Sequence, residues 1–183
     1  EQVIPDEPKI YAHMGIIFNG SGEINYITDS FSHYDGDIGI EIRGHSSQHY
    51  FPKKQYGLET RDSEGENINV SLLGMPEEND WILYAPYSDK SLMRNVLAYD
   101  IARSLGSYAP RTQFCEVILN NDYIGVYVFM EKIKKDDNRV NIDDPESDNL
   151  SGGYLLEIDV ESHLDSSDIY FITENKGRAY GIK

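Results

Sequence analysis

Basic side chains are scarce in this chain: 16 Lys and Arg stand against 32 Asp and Glu, a formal net charge of −16 over 183 residues. Such a surface repels phosphate backbones and anionic lipid leaflets, which argues against nucleic acid and membrane surfaces as partners. Cysteine is nearly absent. The single thiol, Cys115, excludes an intrachain disulfide and a multi-thiolate metal cluster, since each needs at least two sulfurs. Its neighbours Phe114 and Val117 mark it as an ordinary core residue. No apolar run reaches the roughly 18 residues of a bilayer span, and no basic-then-apolar leader opens the chain. Metal-ligand spacing is also missing among the histidines: His45 and His49 are four apart but fall in a predicted loop, and His13, His33 and His163 are isolated.

What is present points to sheet. One Trp is outnumbered by 14 Tyr and six Phe, and these rings suit half-buried strand positions, packed on one side and wet on the other. The length and the 39% hydrophobic content suffice for one buried core. The expected architecture is therefore α+β, an antiparallel sheet with one principal helix packed on it, in a single domain spanning residues 1–183.

The elements follow from period and punctuation. Residues 10–19 read as a strand, and Glu23–Thr28 as its hairpin partner across Gly20-Ser21-Gly22. In Asp37–Gly44 the residues Ile38, Ile40 and Ile42 alternate with Gly39, Glu41 and Arg43, which sets Arg43 away from the isoleucines. A loop through Lys53 and Lys54 leads into a strand that ends near Asp62, and Asp80–Pro86 reads as a buried strand. One helix follows, capped by Ser88 or Asp89 and stopped by Gly106. Its residues Met93, Leu97, Ile101 and Leu105 recur every four positions and are expected to lie on the sheet. The clearest hairpin joins Gln113–Leu119 to Tyr123–Glu131 through Asn120-Asn121-Asp122. Lys134–Gly153 reads as a charged loop, Gly153–Glu161 as a strand, and residues 168–183 as a small hairpin turning at Asn175-Lys176-Gly177.

The bend Arg43-Gly44-His45-Ser46-Ser47, followed by Lys53 and Lys54, has the composition of a phosphate cradle. Backbone amides and Ser hydroxyls can approach oxygen closely there, and Lys balances the charge. Most loops of this composition are plain turns, so the order of elements decides the reading. Strand, small-residue bend, strand with Lys, helix and hairpin succeed one another as in a protein-kinase amino-terminal lobe. The exit segment of that hairpin, with Met130, Glu131 and Ile133, would then line an adenine pocket.

Three blocks carry a resemblance: residues 40–59, 72–106 and 117–133, that is IEIRGHSSQHYFPKKQYGLE, LLGMPEENDWILYAPYSDKSLMRNVLAYDIARSLG and VILNNDYIGVYVFMEKI. They look like successive blocks of the CotH family, whose members resemble atypical secretory kinases that use ATP and a divalent metal, Mg or Mn, to phosphorylate Ser on coat or exported proteins. The resemblance implies a lobe that binds a nucleotide, with Arg43, Gly44, Ser46 and Ser47 at the triphosphate. Lys53 or Lys54 would be the phosphate ammonium. Strand parity sets Lys54 with Tyr56 and Leu58 and Lys53 with Gln55 and Gly57, which does not decide between them, and the lean is to Lys54. Arg94 would seek a phosphate or carboxylate partner, and Glu131 would be a hinge residue. The helix has no Glu between Asp89 and Leu105, so the usual Lys-to-Glu brace cannot form, and Asp100 or a carboxylate elsewhere would replace it. The family's catalytic Asp residues lie in a WDFD-like context that does not occur here, so no catalytic residue is assigned and the helical half is expected beyond Lys183. The acidic clusters Asp136-Asp137, Asp143-Asp144 and Glu157/Asp159/Glu161 read as solvated loop or strand faces in preference to catalytic pairs, with extracellular calcium at one of them as the alternative. A spore-coat or extracytoplasmic location and a protein substrate or coat partner complete the expectation, with a non-catalytic coat or envelope module as the rival.

Overall fold

Period-two alternation becomes sheet in most of the segments that carry it. The computed structural model describes residues 2–143, 152–159, 169–172 and 179–182. In it β1 (Ile10–Ile16), β2 (Tyr34–Arg43), β3 (Gln55–Arg61), β4 (Asp80–Tyr84), β5 (Thr112–Leu119) and β6 (Asp122–Glu131) form one antiparallel sheet in the order β1-β2-β3-β4-β6-β5. The sheet curls into a half-barrel. The chain divides into two compact units, Glu1–Lys132, which holds this sheet, and Ile133–Lys183. In the second unit β7 (Leu156–Asp159), β8 (Ile169–Ile172) and β9 (Ala179–Ile182) form a three-stranded antiparallel sheet with β9 central. The turn read at Asn175-Lys176-Gly177 and the residues Asp144, Glu161 and His163 lie outside the described residues.

One sheet face carries most of the core of the first unit. Ile38 and Ile40 of β2, Tyr56 and Leu58 of β3, Trp81 and Leu83 of β4, and Tyr127 and Phe129 of β6 are buried together, with Leu72 and Met75 from the β3–β4 connection. The Trp81 and Phe129 rings stack at 5.2 Å. Cys115 packs against this cluster, and burial pushes its thiol up to about 11. The opposite face bears ions on its β2–β3 side: Lys9 lies 3.3 Å from Glu41 and 3.7 Å from Glu59, which Arg61 also pairs at 2.7 Å.

Three segments depart from the sequence expectation. Glu23–Thr28 is not a strand, and β1 pairs instead with β2, from Ile10 opposite Ile40 to Ile16 opposite Tyr34. Local side chains take over the backbone groups of that segment. Asn19 donates from Nδ2 to the Ile24 carbonyl and to Asp29, Asn25 Oδ1 accepts the Asn19 amide, and Asp29 accepts the Tyr26 amide. The bend before Lys53 holds a short helix, α1 (Ser46–Tyr50), where a loop was expected.

The principal helix, α2 (Arg94–Ser104), presents the other side to the sheet. Met93, Leu97, Ile101 and Leu105 are 51–79% exposed, while Val96 and Tyr99 pack on Ile82, Val128 and Met130. Asp89 organises the approach to this helix: its carboxylate accepts from the Ser91 amide and hydroxyl and from the Arg94 amide. Those bonds hold its pKa below the usual aspartate value. Gly106, at φ +82, supplies the expected stop.

Candidate functional site around Lys53

The bend is shaped by Gly44. Its φ of +87 is the left-handed region, and a Cβ there would meet Ser47 Oγ at 2.5 Å, so no other residue fits without displacement. Ser46 opens α1 at the surface, Ser47 is half-buried, and the Ser47 carbonyl accepts the Phe51 amide at 3.1 Å. Arg43 closes the β2–β3 ladder opposite Gln55, on the sheet face away from the isoleucines.

The two lysines then part. Lys54 folds back on α1, donating to the carbonyls of Gln48 at 2.6 Å and Phe51 at 3.0 Å, and so closes the carboxy-terminal end of that helix. Lys53 instead reaches across to β6, where its ammonium donates to the Val126 carbonyl at 2.6 Å and lies 4.2 Å above the Tyr127 ring. Partial burial draws the Lys53 pKa below the ordinary lysine value. Tyr127 fixes both, because its hydroxyl donates to the Lys54 carbonyl at 2.9 Å and burial pushes its own pKa up, keeping it a donor.

Room for Lys53 comes from a β-bulge. The β5–β6 register shifts between Val117 and Ile118, so that Val117 faces Gly125 and Ile118 faces Tyr123. Gly125 takes φ +93 there, and a Cβ on it would stand 3.3 Å from Lys53 Nζ. The result is a cavity of about 320 Å³ lined by Pro52, Lys53, Lys54, Tyr56, Ile124 and Tyr127. That volume is at the lower end of small-molecule sites. Two cations and no carboxylate line it, a local reversal of sign in a chain of net charge −16. Tyr56, Ile124, Gly125 and Tyr127 were not singled out from sequence. The glycine inside an otherwise apolar strand was the one available signal.

The remaining expected residues lie elsewhere. Arg94 pairs with Asp89 at 3.2 Å and is largely exposed. Asp100 pairs with Arg103 on the same helix. Met130 faces α2 with Ile82 and Val128. Glu131 is buried, and its carboxylate accepts from the Arg111 amide at 2.8 Å and the Arg111 guanidinium at 2.7 Å. Met130 stands four residues beyond Val126, about 13 Å along β6 at strand rise. Neither Met130 nor Glu131 lines the cavity at Lys53. Ile133 opens the second unit and is exposed.

The family profile described as CotH kinase protein matches residues 40–180, which includes the Gly44 bend, both lysines, α2 and the β5–β6 hairpin. The chain belongs to the CotH family. Among characterised CotH relatives, the inner spore coat protein H of Bacillus subtilis (strain 168) is 41% identical over 97 residues. That stretch is 53% of this chain and 24% of the relative, so the likeness spans about a quarter of the longer protein. No helix among the described residues is long and apolar enough to cross a membrane.

Proposed function

We propose that the unit Glu1–Lys132 is the ATP-binding lobe of a CotH-type atypical Ser protein kinase associated with a spore coat. The observation that carries this reading is the cavity at Lys53: a cationic hollow walled by two tyrosines in an otherwise strongly acidic chain. A nucleotide needs an ammonium for its phosphates, which Lys53 offers, and Tyr56, Ile124 and Tyr127 line the rest of the hollow with largely apolar surface. Lys53 takes the phosphate role in preference to Lys54, whose ammonium is engaged by the α1 carbonyls. Binding moves the Lys53 ammonium from the Val126 carbonyl to a phosphate oxygen, which its flexible stem allows. Mg or Mn would accompany the nucleotide, held by carboxylates of a further segment. The protein substrate would be a coat or exported protein offering Ser.

The test is nucleotide affinity followed by transfer. Calorimetry with ATP and Mg or Mn should give saturable binding that falls at least about tenfold in Lys53→Met and little in Lys54→Met. In the longest natural form of the protein, γ-labelled ATP should label a Ser-rich acceptor, and Lys53→Met should abolish it. Absence of transfer by intact protein with metal overturns the enzyme reading. A second reading, a non-catalytic module of coat assembly, is favoured by the exposed apolar stripe of α2. Under it ATP does not bind, and changing Leu97 and Ile101 impairs coat incorporation.

A further inference from the structure

His45 and His49 form a side-chain pair that the nucleotide reading leaves unused. His45 has φ −88 and ψ −70, right-handed helical values, so it continues α1 backward and stands one turn from His49 on the same face. Both rings are at the surface, with centres 5.6 Å apart and planes at 84°. Two imidazoles bound to one cation, each with a metal–nitrogen distance of about 2 Å, hold their centres roughly 5 Å apart. The observed separation is close to that spacing, and perpendicular ring planes are no obstacle to it. Histidines one helical turn apart are a recurrent zinc-binding arrangement.

The turn that carries the pair is held from several sides. The Phe51 amide donates to the Ser47 carbonyl, Lys54 grips the Gln48 and Phe51 carbonyls, and the Gln48 side chain donates to Asp6 at 2.5 Å. Such bracing reduces the entropy lost when a cation fixes the two rings. A net charge of −16 also draws cations toward the surface.

We infer that His45 and His49 chelate a borderline divalent cation of the zinc class, with water or a ligand oxygen in the other coordination positions. Imidazole selects Zn, Cu or Ni over the Mg or Mn expected with a nucleotide, so this site is separate from the one at Lys53. Its occupancy ties the two ends of α1 together across one turn and stiffens the bend that follows Gly44.

Chelator-stripped protein without a histidine tag, titrated with zinc chloride near neutral pH, gives the test. One cation per chain should bind, with the imidazole NMR signals of His45 and His49 shifting together and hydrogen exchange at the Phe51 amide slowing. His45→Ala and His49→Ala should each weaken binding at least about tenfold, while His13→Ala leaves it unchanged. Binding should fade as pH is lowered, because a metal takes only the neutral imidazole. Both substituted positions are exposed, and circular dichroism confirms that the variants fold. The inference is overturned if neither ring responds at saturating zinc, or if affinity persists in both His45→Ala and His49→Ala. Neither result bears on ATP binding, which is measured separately.

Discussion

Lys53 and Lys54 are adjacent and chemically identical, yet their ammonium groups part to β6 and to α1. Strand parity places Lys54 with Tyr56 and Leu58, but β3 begins only at Gln55, so the alternation that would fix both lysines has not started. What decides is the set of acceptors within reach: the terminal carbonyls of α1 for one, the bulged β6 backbone for the other. Different consequences follow from removing each. Lys54→Met deprives two helix-end carbonyls of a charged donor, a bond type of roughly 1.5–3 kcal/mol when buried. Solvent access at this site lowers that to about 1–2 kcal/mol, to be read from the urea midpoint. Lys53→Met loses one charged bond, to the Val126 carbonyl, and the contact over Tyr127. It keeps the apolar stem in place and relieves the partial desolvation of the ammonium, so it should cost less, about 1 kcal/mol or below. Equal losses in the two variants would contradict this division of roles.

At the level of elements, local chemistry made the β5–β6 hairpin legible, because Asn120 and Asn121 adopt φ +50 and +66 and asparagine tolerates both. The same chemistry hid the loop after β1, where Asn19 and Asp29 bind backbone that a strand would have used. For α2 the period was readable but the facing was not. Two rows compete on that helix, Met93/Leu97/Ile101/Leu105 and Val96/Tyr99, and only tertiary packing selects the second. Substitution can separate the rows. Ile101→Asn on the exposed row should change stability by no more than about 0.5 kcal/mol, as surface changes do. Tyr99→Ala removes a ring packed on Ile82, Val128 and Met130 and should cost about 2 kcal/mol, less than a fully buried aromatic because Tyr99 is only partly buried. Thermal denaturation of both variants distinguishes the facings, and a larger loss from Ile101→Asn would reverse the assignment.

Over the whole molecule, charge sets the response to solvent. The sequence discloses the total of −16 but not where the sign reverses, and the cationic cavity exists because a bulge at Gly125 and the reach of Lys53 bring Lys53 and two tyrosines together from distant positions. Excess carboxylates repel one another in the folded chain, so added salt should raise the thermal midpoint at neutral pH by screening them. Acid acts in two opposed ways. As pH falls toward 5 the first carboxylates protonate and the self-repulsion relaxes, which favours folding. Asp29 and Asp89 work the other way. Hydrogen bonds to the Tyr26 amide and to Asn19 lower Asp29, and those from Ser91 and the Arg94 amide lower Asp89, both beneath the ordinary 3.8. A depressed folded pKa means that the unfolded chain takes up protons first, so their stabilisation is complete above about 3.8 and is lost as pH drops through the folded values. Thermal midpoints measured from pH 7 to 2.5 should therefore hold or rise to mildly acidic pH and then fall steeply. Asp89→Asn should flatten the acid limb, because an amide does not titrate, and should lower the midpoint at neutral pH, because its single oxygen can replace only one of the two carboxylate oxygens that accept the Ser91 and Arg94 amides. A midpoint that declines steadily from neutrality, unmoved by salt, would mean that the carboxylate excess does not govern the stability of this fold.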